Sequence, residues 1–340
     1  MTALAMMALT PREARAQAAR RWRPGRDQWR AWHCFLHAPE AQEQLLRETI
    51  APIAGVWQAG GEVEWFFLRY WENGPHLRLR ARGLDDGGFV ALGETLRSAA
   101  ARLADGLGPQ PERFPAAMRV DGAHSDPASL PWFPAGTVAE IDYEPEVRRY
   151  GGRHGLAVSE HWFGASSALA LAVIGKTAGE PRLRQSIALR LTVGAIASVA
   201  KDEAEFADFL RIMAANWGGY VGDAAAAREA ALQAYAPLRP ELGAMIRQAL
   251  QGGAAAAPSP IVSAWRGTVE NYVAELLDLA DSHLLVDPAT GVAVAGAAAA
   301  RHAIQNILFS QLHMTNNRLG IMPQQEFQFA TVLLDAVERS

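Results

Sequence analysis

Hydrophobic positions follow two different periods along this chain. WRAWHCFLH (Trp29 to His37) is rich in aromatic and apolar residues and stops just before Pro39, which predicts a strand. PEAQEQLLRETIAPIAGVWQ has an early proline, acids in its first turn and helical spacing, so a helix disturbed at Pro52 is expected. EVEWFFLRYW is a near-continuous apolar run, the pattern of a largely buried strand. ENGP then supplies a turn, with Asn-Gly as the hairpin signal, and HLRLRAR returns as the antiparallel partner in strict alternation. Residues 86–104 read as a helix. Residues 106–134 are rich in Pro, Gly, Asp and Ser, and read as a loop with at most one short strand. VAEIDYEPEVRRYGG reads as a strand ending in a turn.

From there the period changes to that of helices. SEHWFGASSALALAVIG, PRLRQSIALRLTVGAIASVA, DEAEFADFLRIMAANWG, IVSAWRGTVENYVAELLDLADS and AAAARHAIQNILFSQLHMTNNRLG all carry it. QGGAAAAPSP (Gln251 to Pro260) is an inter-helix linker, and no internal repeat is present. The fold class expected is α+β: an N-terminal mixed part with antiparallel strands and helices, and a C-terminal mainly helical part. The organisation expected is a basic arm over 1–28, an α+β part over 29–150 and a helical part over 151–340, packed as one unit.

Composition narrows the function classes. With 340 residues, half of them hydrophobic, the chain can bury a substantial core. A formal net charge of −4 gives no global reason to bind nucleic acid or membrane. The single cysteine, Cys34, excludes a disulfide framework or a cysteine-rich zinc site within one chain. His33 and His37 are four apart but fall on a strand, where that spacing makes no helical ligand pair, so no metal is expected. There is no phosphate-binding glycine loop at a strand–helix junction, so no cofactor is expected either. No apolar run reads as long and charge-free enough to span a bilayer. The start, MTALAMMALTPREARAQAARRWRPGR, superficially resembles a transit peptide but lacks the n-region and cleavage site of a secretory signal. It reads as a solvated or partner-contacting arm. Lys176 and Lys201 are the only lysines, a bias that fits a GC-rich bacterial genome, and a cytoplasmic bacterial protein is expected.

Three stretches carry candidate chemistry. In HLRLRAR, alternate side chains share a face, so His76, Arg78, Arg80 and Arg82 point one way while Leu77, Leu79 and Ala81 point into the core. Neighbouring guanidiniums repel unless acids or an anionic ligand sit among them. Guanidinium is also the group best shaped to grip a carboxylate. Spacing alone slightly favours a solvated edge strand kept basic against aggregation. In EPEVRRYGG, Glu146 stands three residues before Arg149 and can orient it, and Gly151 and Gly152 permit a close backbone approach. Taken alone, that stretch fits a surface ion pair before a turn equally well. In FSQLHMTNNRLG, His313 sits late in an apolar helix with Asn317 one turn on, and a lone histidine there is more often a hydrogen-bonded core residue.

In combination and in this order, FFLRYWENGPHLRLR, YEPEVRRYGG and LHMTNNRLG resemble the C-terminal domain of lantibiotic dehydratases, which also occurs alone as thiopeptide-type bacteriocin biosynthesis proteins. The similarity runs from about Trp29 to the C-terminus. By that resemblance the longer glutamyl-transfer domain of full-length dehydratases is not expected in this chain, and a freestanding enzyme is implied. It implies glutamate elimination from glutamylated Ser or Thr of a ribosomally made precursor peptide with a leader, giving dehydroalanine or dehydrobutyrine. The partners it implies are that peptide and a glutamyl-transfer enzyme, with nucleic acid and membrane not expected and a homodimer left open. By the same resemblance Arg80 and Arg149 hold the glutamyl unit, Arg78 and Glu146 support them, and His313 transfers the proton, with His76 and Asn317 as further substrate-binding candidates. One departure is Ala165-Ser166, where the family often has Asp-Ser after SEHWF. The first alternative is the sister reaction, a formal [4+2] cycloaddition in which a pyridine synthase joins two dehydroalanines, closes a macrocycle and releases the leader. The second is a non-catalytic leader- or tRNA-binding module using the basic arm from Arg12 to Arg30 and the arginine strand.

Overall fold

The computed structural model describes residues 28–106, 131–252 and 259–339, and shows the α+β class with its strands near the N-terminus and its helices towards the C-terminus. Residues 1–27 of the expected basic arm, most of the Pro/Gly-rich loop and most of the QGGAAAAPSP linker lie outside the described residues. Two compact units are formed. The first holds the chain up to Pro145 together with Phe163–Ala178, and the second holds Glu146–Trp162 and the chain from Gly179 onward.

In the first unit four antiparallel strands are ordered β2-β3-β1-β4: β1 (Arg30–Phe35), β2 (Glu64–Tyr70), β3 (His76–Arg82) and β4 (Val138–Glu140). β2 and β3 form the hairpin that Asn-Gly signals. The connection is Trp71 to Pro75 rather than two residues, with Asn73 at φ 64° and Gly74 at φ 113°. These left-handed values are what Asn and Gly tolerate best. Helix α1 (Pro39–Leu45) runs through a π-turn (Leu46–Ile50) into α2 (Ala51–Gly60). The disturbance expected at Pro52 is therefore a widening of the turn before it. Proline has no N–H to donate and its ring crowds the carbonyl four residues back, and a π-turn relieves both problems without ending the helix.

Helix α3 (Asp86–Asp105) starts at Asp85, whose side chain accepts from the Gly88 amide at 2.8 Å. It covers the sheet face that carries Trp32, and the Phe89 ring lies 4.9 Å from that indole. Leu77, Leu79, Ala81, Trp32 and Cys34 are fully buried. The later part of helix α4 (Gly152–Lys176) protects the outer edge of β2, because the Ser167 hydroxyl accepts from the Phe67 amide at 3.1 Å. By length and composition α4 does meet the criterion for a membrane span, contrary to the expectation that no run would. Its apolar window is 72% buried inside the protein, as in a core helix.

The second unit is helical: α5 (Pro181–Ala197), α6 (Glu203–Gly218), α7 (Ala224–Tyr235), α8 (Arg239–Gln251), α9 (Pro260–Asp281), α10 (Ala297–Leu319) and α11 (Pro323–Glu338), with the first part of α4. Asp202, Asp223 and Ser259 cap α6, α7 and α9 with their side chains. α7, α8 and α11 were not anticipated. In α7 the Ala-rich run has too few large apolar residues to show a period, and α11 follows α10 after only Gly320 to Met322. α11 packs against α6, α7 and α8, and α9 against α5 and α10.

Candidate active site

β3 is an interior strand, flanked by β2 and β1. This removes the edge-strand explanation for its basic face, because a central strand needs no protection against edge pairing. Cross-strand neighbours on that face are His33 and Leu68 opposite Arg78, and Ala31 and Phe66 opposite Arg80. Each guanidinium is given an aromatic surface. Arg78 lies 3.6 Å from the Tyr70 ring centroid, Arg80 lies 4.3 Å from Tyr143 and 5.3 Å from Phe66, and Arg82 lies 4.7 Å from Trp29. Stacking on a ring face lets a cation sit close to others with less loss of hydration energy than an apolar wall would impose. Arg82 also pairs with Glu64 at 2.7 Å, and Glu72 stands 3.8 Å from Arg78. Arg80 is buried and Arg78 half-buried.

His76 holds this face in order. Its Nδ1 lies 2.7 Å from the Gly74 carbonyl oxygen, and its Nε2 lies 3.0 Å from Arg78 Nε. A carbonyl only accepts and a guanidinium only donates, so the ring is the neutral tautomer with hydrogen on Nδ1. Burial lowers its pKa to about 3, against the Gly74 bond and aided by the Arg78 and Arg80 charges. The His33 ring stacks on it at 4.8 Å, and burial with the Arg78, His76 and Arg80 charges lowers that pKa to about 2. Two neutral imidazoles thus lie beside the arginines.

In the second unit the turn after Glu146 positions Arg149. The Gly152 amide bonds Val147 O at 2.9 Å, and the Val286 amide bonds Gly151 O at 3.0 Å. Gly151 and Gly152 have φ 85° and 84°. A Cβ on Gly151 would come within 2.7 Å of Leu285 Cδ1, and one on Gly152 within 2.8 Å of Val286 Cγ2, so both conformation and space call for glycine. Arg149 Nη1 donates to both Glu146 oxygens at 3.0 and 3.2 Å, and its Nε donates to Ser310 Oγ at 3.2 Å. Arg148 does something different. It turns outward and donates to the carbonyls of Pro288 and Ala289.

Ser310 lies on α10, three residues before His313, so Arg149 reaches the helix that carries the histidine. The His313 Nδ1 is 2.7 Å from Glu326 Oε1, and Asn316 Nδ2 donates to Glu326 Oε2 at 3.0 Å. Trp217 lies against the same imidazole at 4.5 Å. Asn317 is half-buried on α10, but the amide that reaches Glu326 is that of Asn316. Sequence reading did not single out Glu326, Asn316, Ser310 or His33. The signal for Glu326 was an acid in the apolar run PQQEFQFATVLL, which becomes visible once that run is taken as a helix. Of the expected residues, His76, Arg78 and Arg80 belong to the first unit, and Glu146, Arg149, His313 and Asn317 to the second. Among the described residues no group of three His, Cys, Asp or Glu side chains is placed to hold a metal.

The family described as lantibiotic biosynthesis dehydratase C-terminal matches residues 29–337. No curated protein matches the sequence. Among solved structures the fold is similar to TsrL, with TM-score 0.64 and 18% identity over 92% of this chain and 95% of that one. It is also similar to TbtD, the pyridine synthase from thiomuracin biosynthesis, with TM-score 0.66 and 19% identity over 92% and 98%. The tRNA-dependent lantibiotic dehydratase MibB from Microbispora sp. 107891 aligns with 94% of this chain and 29% of its own, at TM-score 0.49 and 16% identity.

Proposed function

The chain belongs to the lantibiotic biosynthesis dehydratase C-terminal family, and on that premise we propose that it is the glutamate-eliminating enzyme of a thiopeptide- or lantibiotic-type pathway, acting in the bacterial cytoplasm. Its substrate is a precursor peptide in which Ser or Thr has been esterified with glutamate by a partner enzyme. The α-proton is removed, its electron pair forms the Cα–Cβ double bond, and the Cβ–O bond breaks to release glutamate as a carboxylate. The supporting observation is that the five residue types this chemistry uses are all present at the matching motif positions: Arg78, Arg80, Glu146, Arg149 and His313.

An amide α-proton is a weak acid, so a proton-transfer group must be held next to it, and imidazole titrates nearest neutral pH. His313 has that role. The leaving carboxylate and the glutamyl side-chain carboxylate are both matched by guanidinium. Arg80 and Arg149 take these anions, with Arg78 and Glu146 in support. His76 orders the arginines, and Asn317 is a further candidate for peptide contact.

The sister reaction, joining two dehydroalanines as a pyridine synthase does, shares the scaffold but releases no glutamate and has no use for a carboxylate grip. The test offers the purified protein one precursor peptide in two forms, one bearing glutamyl esters and one already dehydrated. Free glutamate from the first and no change in the second is the expected result. Cyclisation of the dehydrated form with loss of its leader, while the ester survives, would establish cycloaddition instead.

A further inference from the structure

We infer that Glu326 is a positioning residue whose buried carboxylate locks His313 in the tautomer that leaves Nε2 as the proton-accepting atom. The inference rests on the elimination reading for its chemistry, and on the dyad geometry for its structure. Glu326 is fully buried in the first turn of α11, where the helix dipole favours a negative charge. A buried carboxylate is costly unless each oxygen is hydrogen-bonded. Here one oxygen meets His313 Nδ1 at 2.7 Å and the other accepts from Asn316 at 3.0 Å. Both partners come from one face of α10, three residues apart, so the two helices are joined at this carboxylate.

A carboxylate only accepts, so the hydrogen on His313 sits on Nδ1 and the lone pair of the neutral ring is on Nε2. Among the described residues Nε2 has no hydrogen-bond partner, and the side chain keeps 17% exposure, whereas Glu326 has none. Trp217 packs on the ring at 4.5 Å and is itself stacked on Phe309 at 5.6 Å, which restricts rotation about the ring axis. A residue serving only the core would need no charge here: glutamine fits the same space and satisfies Asn316 equally well. The carboxylate additionally fixes the tautomer and stabilises the imidazolium that forms when Nε2 takes a proton.

Two measurements test this. The first is nitrogen-15 NMR of histidine-labelled wild-type protein in mildly alkaline buffer. Hydrogen on Nδ1 and a bare Nε2 for His313 is expected, and hydrogen on Nε2 or a mixture of tautomers overturns the inference whether or not any variant folds. The second is Glu326→Gln assayed on a glutamylated precursor peptide. Glutamate release should fall at least about tenfold in kcat with KM little changed, and Glu326→Asp should recover part of it. In the His313→Ala background Glu326→Gln should cost nothing further, because Glu326 acts through His313. An equal loss in both backgrounds would mean that Glu326 only supports the fold. If wild-type protein releases no glutamate at all, the elimination reading fails, and the NMR result still decides the dyad.

Discussion

Arg78 donates from Nε to Nε2 of His76, two residues away on the same face of β3, at 3.0 Å. The bond requires a neutral imidazole. A charged residue and an uncharged one at alternate positions thus form a single device, in which the histidine orients the guanidinium that stacks on Tyr70.

This makes stability depend on pH in a defined window. His33 and His76 have folded-state pKa values of about 2 and 3, against 6.5 for the free side chain. Between those values the unfolded chain binds protons that the folded protein does not, so stability is fully present above pH 6.5 and falls as pH drops. From pH 6.5 to 5, before most carboxylates titrate, the loss for each of the two should steepen from about 0.7 towards about 1.4 kcal/mol per pH unit. Urea unfolding midpoints at pH 7.5, 6.5, 5.5 and 5.0 read the slope, and His33→Phe should halve it. A flat profile would contradict the buried neutral pair.

Arg80 and Arg149 should fail in similar ways for different local reasons. Arg80 is buried against Tyr143 and Phe66, and Arg149 is aimed by Glu146 and Ser310. Removing either should leave a substrate carboxylate unmatched, costing roughly 2–5 kcal/mol, or about two to four powers of ten in rate. Arg80→Lys should recover little, since an ammonium neither stacks nor grips bidentately. Mass spectrometry of precursor co-produced with the glutamyl-transfer enzyme should show ester adducts accumulating. Full dehydration by Arg149→Ala would remove that residue from the site.

Gly151→Ala should destabilise the second unit by about 1–3 kcal/mol, because φ 85° is strained for any L side chain. The added methyl also meets Leu285 and Ile307 at 2.7 and 2.9 Å. The same substitution should lower turnover, since the turn it disturbs carries Arg149. Wild-type stability measured by chemical denaturation would show that the methyl is accommodated.

Much of this protein was legible from local sequence because the forces involved act over a few residues. Alternation placed His76, Arg78 and Arg80 on one face of β3, Asn-Gly set the hairpin, and the missing N–H of Pro52 marked where the helix would deform. Three motifs in order were enough to suggest the family. Tertiary structure decided what those residues face. Nothing local makes β3 an interior strand: that depends on β1 pairing with it across some forty residues, and only the pairing puts His33 beside Arg78. Nothing local selects Asn316 over Asn317, or joins His313 to Glu326. Those follow from the docking of α11 after the turn at Gly320, and from the requirement that a buried carboxylate find hydrogen-bond donors wherever packing places it.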